Sequence, residues 1–166
     1  MYSNVEDFLE DWHDEMQNTV KVFSCITPEA KSVKVHEHIR TLDRLAWHIV
    51  QTISEMGTRA GLFTEDSLDE QSIPATFEEI IGKYRNFSQQ FFNAVKASWT
   101  NDYLQDYVNM YGQVWKKGKV LSVVIAHEAH HRSQMTIIMR LLGVPVPGIY
   151  GPSKEEWVAM GMPPME

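Results

Sequence analysis

Apolar residues recur along this chain at steps of three and four, the spacing that lines one face of an α-helix. Val5, Phe8, Leu9, Trp12, Met16, Val20 and Phe23 trace the first such face, and Thr27-Pro28 breaks it. Val35, Ile39, Leu42, Ala46, Ile49, Ile53 and Met56 form a bundle-type seam. That seam predicts a second helix from about Ser32 to Arg59, with Gly57 and Gly61 marking its end. Leu62 to Ala75 is polar and contains Pro74, so it reads as a loop. Thr76 followed by Glu79 is a capping box, and Phe77, Ile80, Ile81, Tyr84, Phe87, Phe91 and Val95 line the helix it starts.

Trp99 to Gly118 carries two patterns. Tyr103, Tyr107, Tyr111 and Trp115 recur every fourth residue, which suits a helix. The same stretch alternates weakly, with Gly112 and Gly118 placed to punctuate a hairpin. Both readings stand at this point. A last long helix is predicted from about Lys119 to Leu142, stopped by Gly143, Pro145 and Pro147. Ser153 with Glu156 makes another capping box, opening a short helix through Trp157, and the tail Gly161 to Glu166 is expected to be loose. The expected fold is therefore all-α: an antiparallel four-helix bundle with a short C-terminal helix, one domain over 1–166.

Composition narrows what such a bundle does. The chain has 166 residues, 43% of them hydrophobic, enough for a real core. Its formal net charge of -7 argues against a nucleic-acid groove, which needs a basic stripe. No apolar run reaches the length of about 18 residues that a membrane span requires. The acidic start MYSNVEDFLEDWHDE is not a signal peptide, and the single cysteine, Cys25, excludes an internal disulfide. A cytoplasmic location is expected. Cys25 lies in the apolar run Val22 to Ile26 and reads as a buried, inert thiol. The aromatics between Trp99 and Trp115 read as core or as dimer surface.

The chemistry concentrates in the last long helix. Val120, Val124, His127, His131, Ile138 and Leu142 share one face, so two imidazoles stand in the middle of an apolar stripe. An i,i+4 pair points them the same way, about 5–6 Å apart at Cβ. Burying them without partners would cost about 1–3 kcal/mol each. A transition-metal ion removes that cost, because neutral imidazole is its commonest ligand. Of the seven histidines, His48 is the best third ligand: it lies mid-helix on the flank of the second seam, beside Leu45 and Thr52. His36 and His38 sit nearer that helix's start, and His130 is about 100° round from His131. Taken alone, His48 would read as a packed core histidine. Three histidines leave coordination positions for water or substrate. Zinc, nickel and iron all accept such a set. Glu128, Arg132 and Gln134 flank the pair, and the last two are candidate contacts for an anionic cofactor.

His127-Glu128-Ala129-His130-His131 also satisfies the H-E-x-x-H pattern of zinc peptidases, with Glu128 as base and Glu155 or Glu156 as third ligand. A stronger likeness lies elsewhere. His127-Glu-Ala-His-His131-Arg-Ser-Gln134, followed by Arg140 and Gly143, resembles the last-helix motif of the DinB/YfiT-like superfamily. RTLDRLAWH, ending in His48, resembles that family's second-helix motif. Ser133 stands where members often have glycine. The resemblance implies a four-helix bundle, commonly a homodimer, with a metal site that maps here onto His48, His127 and His131. Characterised members of the family include S-transferases and isomerases that use low-molecular-weight thiols. A metal that lowers the pKa of a bound thiol or water makes a thiol-cofactor transferase the first expectation on a small-molecule substrate, and a small-molecule hydrolase the second. The alternative is a dimeric bundle whose metal is structural. The C-terminal segment with Tyr150 and Trp157 is read as closing the bundle end, or else as walling the site.

Overall fold

The computed structural model describes residues 1–163. Helix α1 spans Val5–Phe23, α2 Leu42–Arg59, α3 Phe77–Ser98, α4 Lys117–Leu141 and α5 Lys154–Ala159. A hairpin of β1 (Tyr107–Met110) and β2 (Gln113–Lys116) precedes α4. The four long helices form the bundle. Both α1 and α2 pack against α3 and α4, so α1 and α2 occupy opposite corners. The core is continuous and built from large side chains, among them Trp12, Trp47, Phe8, Phe23 and Phe91. Trp12 packs against Phe8 and Phe91, and its indole N–H donates to the Ser88 carbonyl at 3.1 Å. That bond satisfies the one polar group a buried indole brings with it.

Caps set the helix ends where local chemistry predicts. Asn4 accepts from the Glu6 amide and opens α1. The Thr76–Glu79 box opens α3 and the Ser153–Glu156 box opens α5. Gly143 has φ +71, and the amides of Gly143 and Val144 bond to the carbonyls of Arg140 and Met139, a Schellman stop for α4. The expected loose tail lies partly outside the described residues: Gly161 and Met162 form a turn, and 164–166 are not described.

One expectation is corrected and one open stretch is settled. The second helix begins at Leu42, not near Ser32. The Asp43 carboxylate accepts from Ser32 and Thr41, and the Asp43 amide donates to the Lys31 carbonyl, 3.0 Å away. These bonds hold 32–41 as turns instead of a helical extension. Val35 still packs on the core, while Ile39 is released to the surface. The ambiguous stretch resolves as the hairpin, preceded by a single 3₁₀ turn at Tyr103–Gln105. Tyr111 and Gly112 both have positive φ (57 and 76), the backbone of a two-residue hairpin turn. Of the aromatics there, Trp99 is buried and Tyr103, Tyr107 and Tyr111 are exposed.

Candidate metal centre

Three imidazoles meet where α2 and α4 pack together. His48 comes from α2; His127 and His131 come from successive turns of α4. One ring nitrogen from each lies within 4.8 Å of the others. Ring centroids are separated by 5.1 Å for His48–His127, 4.7 Å for His48–His131 and 4.4 Å for His127–His131. The Nε2 atoms of His127 and His131 are 3.1 Å apart.

Burial, followed by the field of the neighbouring histidines, pushes His48 and His127 down to about 4. Burial also lowers His131, opposed by its bond to Gln134. All three rings are therefore neutral near pH 7, the form that donates a lone pair to a metal. Gln134 Oε1 lies 2.8 Å from His131 Nδ1. An amide oxygen only accepts, so Nδ1 carries the proton and Nε2 presents its lone pair to the cluster. The Gln134 amide nitrogen lies 3.1 Å from His130 Nε2, which holds His130 outside the cluster. This donor set fits a divalent transition-metal ion.

Two grooves flank the cluster. One, of about 510 Å³, opens beside His131 and Gln134 between α4 and the turn that leads into α2. The other, of about 350 Å³, opens beside His48 and is lined by charged residues of both signs, including Arg44, Glu55, Arg59 and Asp66.

The remaining sequence candidates point away. Glu128 is 2% exposed and turns towards α1 and α3, where Thr19 and Tyr84 donate to its Oε1. Burial pushes this carboxyl up to about 7, against the lowering effect of Thr19, Tyr84 and Arg132. The peptidase-like expectation therefore fails on geometry. Its base is sealed in the core, the third donor beside His127 and His131 is His48, Glu155 pairs with Arg140, and Glu156 accepts from the Gly148 amide. Arg132, expected at a cofactor, is not brought to the cluster. It is 1% exposed and donates to Glu15, to Thr19 Oγ1 at 2.9 Å and to the Tyr150 hydroxyl at 2.6 Å. A buried guanidinium needs those partners, so its donors serve the fold. Tyr150 thus ties the C-terminal segment to α1 and α4 and does not wall the groove beside His131. Cys25 is half-buried, and burial raises its thiol above the usual range.

Sequence reading missed the network Glu15, Thr19, Tyr84, Glu128 and Arg132. A signal existed: Glu15 and Thr19 interrupt the α1 face defined by Trp12, Met16 and Phe23 one turn apart.

A four-helix bundle with a three-histidine cluster suited to a divalent metal is a recognisable class of protein. The chain belongs to the DinB family, which it matches over residues 1–164. It is 35% identical over 162 residues to the protein YrdA of Bacillus subtilis (strain 168), covering 98% of this chain and 97% of that one. A DinB-like protein of Bacillus cereus, known from a crystal structure, superposes with a TM-score of 0.80 at 33% identity, covering 90% of this chain and 100% of that one. The DinB-like protein YjoA of Bacillus subtilis has a TM-score of 0.69 at 14% identity over 86% of this chain and 97% of its own, a likeness of fold. Among the described residues no helix is long and apolar enough to cross a membrane.

Proposed function

We propose that the protein is a metal-dependent enzyme acting on small molecules, with His48, His127 and His131 as its metal ligands. One observation carries this reading: three neutral imidazoles converge beside an open groove, and the cluster contains no fourth histidine, cysteine or carboxylate among the described residues. Structural zinc is usually closed by four protein ligands, whereas three leave room for a reactant. When bound, the cation supplies Lewis acidity that brings ionisation of a thiol or water into the neutral range. The chain's own residues prepare for it. Burial keeps the rings unprotonated, and Gln134 sets the tautomer of His131.

The reaction proposed first is transfer to or from sulfur with a low-molecular-weight thiol as cofactor; hydrolysis of a small molecule comes second. The groove supports both. Resemblance to thiol-using members of the wider superfamily favours the first. A cytoplasmic homodimer completes the reading, with the exposed hairpin residues Tyr107 and Val114 as candidate contact surface.

Elemental analysis of untagged protein tests the ligand set. The wild type should carry one divalent transition metal per chain, and His48→Ala and His131→Ala should lose it; retention in either variant overturns the assignment. Cobalt-substituted protein tests the open position. Its visible spectrum should change on adding a thiol, and an unchanged spectrum favours a purely structural metal.

A further inference from the structure

Arg40 is a cation that the fold does not use. It closes the turn before α2, is exposed, and forms no ion pair among the described residues. Arg40 also lines the groove beside His131.

That groove has two further properties. Among the described residues it is lined by no carboxylate, although the whole chain carries a net charge of -7. And it has a polar end and an apolar track. His131, Gln134, Ile138 and Leu141 follow one another at steps of three and four along α4, with Ile137 beside them. From His131 to Leu141 the row runs about 15 Å along the helix axis, and its last turn, from Ile137 to Leu141, is the apolar track, about 6 Å long. Ile137 and Leu141 are 61% and 64% exposed. Leu45 and Ile39 face them from α2 and the turn before it. The groove beside His48, by contrast, holds Glu55, Asp66 and Asp69 against its arginines.

We propose that the groove is a subsite for a small amphipathic anion. A carboxylate pairs with Arg40 beside the histidines, and an unbranched apolar arm lies along Ile137 and Leu141. The carboxylate finds Arg40, the one arginine lining that groove among the described residues, and the arm covers side chains that otherwise face water. This deepens the enzyme reading and rests on it for the reaction, while the binding itself follows from Arg40 and the track.

The test is calorimetric titration of zinc-loaded protein with octanoate, octanamide and propionate, using wild type, Arg40→Gln and Leu141→Ser. Both substitutions are at exposed positions. Octanoate should bind about tenfold more tightly than octanamide, for want of a charge-assisted bond in the amide. It should also bind at least about tenfold more tightly than propionate, for want of an apolar arm in the shorter acid. Arg40→Gln should abolish the preference for octanoate over octanamide and leave octanamide unchanged. Leu141→Ser should weaken both octyl ligands and leave propionate unchanged. Octanoate bound equally by wild type and Arg40→Gln overturns the proposal.

Repeating the titrations on His127→Ala, with its metal content measured, separates the two readings. Arg40-dependent binding that persists without metal supports the subsite, whatever the fate of the metal assignment. Binding that disappears with the metal and ignores Arg40 means the carboxylate was only a metal ligand, and the subsite falls while the metal site stands.

Discussion

His131 and Gln134, one helical turn apart, are joined through Nδ1 and Oε1 at 2.8 Å. That bond decides which nitrogen of the central histidine is free, so metal affinity should depend on a residue that need not touch the metal. Gln134→Leu leaves His131 free to change tautomer and should weaken metal binding about 10–100-fold. Competition with a chromophoric chelator measures this. Unchanged affinity would show that α4 packing alone orients the ring.

Metal retention should survive mild acid. His48 and His127 are held down to about 4, below the ordinary histidine value of 6.5. A depressed folded value means the neutral form is favoured above 6.5 and the advantage is lost as pH falls through about 4. Metal content, followed by elemental analysis after equilibration, should therefore hold between pH 7 and about 5 and fall as pH approaches 4. Release centred near pH 6.5 would mean that the rings are solvated.

Glu128 should carry the opposite signature. Burial raises its carboxyl from 4.5 to about 7, so the folded state holds the proton more tightly than the unfolded chain does. Stability from this group is complete below pH 4.5 and is lost as pH rises through about 7. Glu128→Gln removes the titration. The wild type should lose up to about 3 kcal/mol relative to this variant between pH 5 and 8, read from denaturant midpoints. A difference independent of pH would show that Glu128 stays ionised in the core.

Arg132 should matter for folding before it matters for chemistry. Arg132→Met leaves Glu15 buried without its cation and should cost about 3–5 kcal/mol of stability. Adding Glu15→Gln to that variant should recover part of the loss, because the orphaned charge is removed. Urea denaturation of the two variants checks both statements. A stable Arg132→Met protein with lost activity would instead return Arg132 to the site.

Much of the bundle was legible because its signals are local. The seven apolar positions of α1, the two capping boxes and the Gly143 stop each depend on residues within a turn or two of one another. The start of the second helix was misplaced because a longer contact intervened. The seam through Val35 and Ile39 kept helical spacing, yet Asp43 draws Ser32 and the Lys31 carbonyl towards it and the helix starts at Leu42. In the Trp99 to Gly118 stretch, four-residue spacing and alternation competed, and the positive-φ turn at Tyr111-Gly112 gave the pairing to the hairpin.

The candidate site divides in the same way. Helical periodicity alone puts His127 and His131 on one face, because rise and twist per residue are constants of the backbone. It also places His48 on the flank of its own helix. Which flank faces which neighbour is a property of packing: α2 against α4 brings His48 to the pair. The same packing turned Glu128 and Arg132 inward to Thr19, Tyr84 and Glu15, and left Arg40 beside the groove. Each of those outcomes depends on which residues from distant segments meet in space, and no spacing along a single helix encodes that meeting.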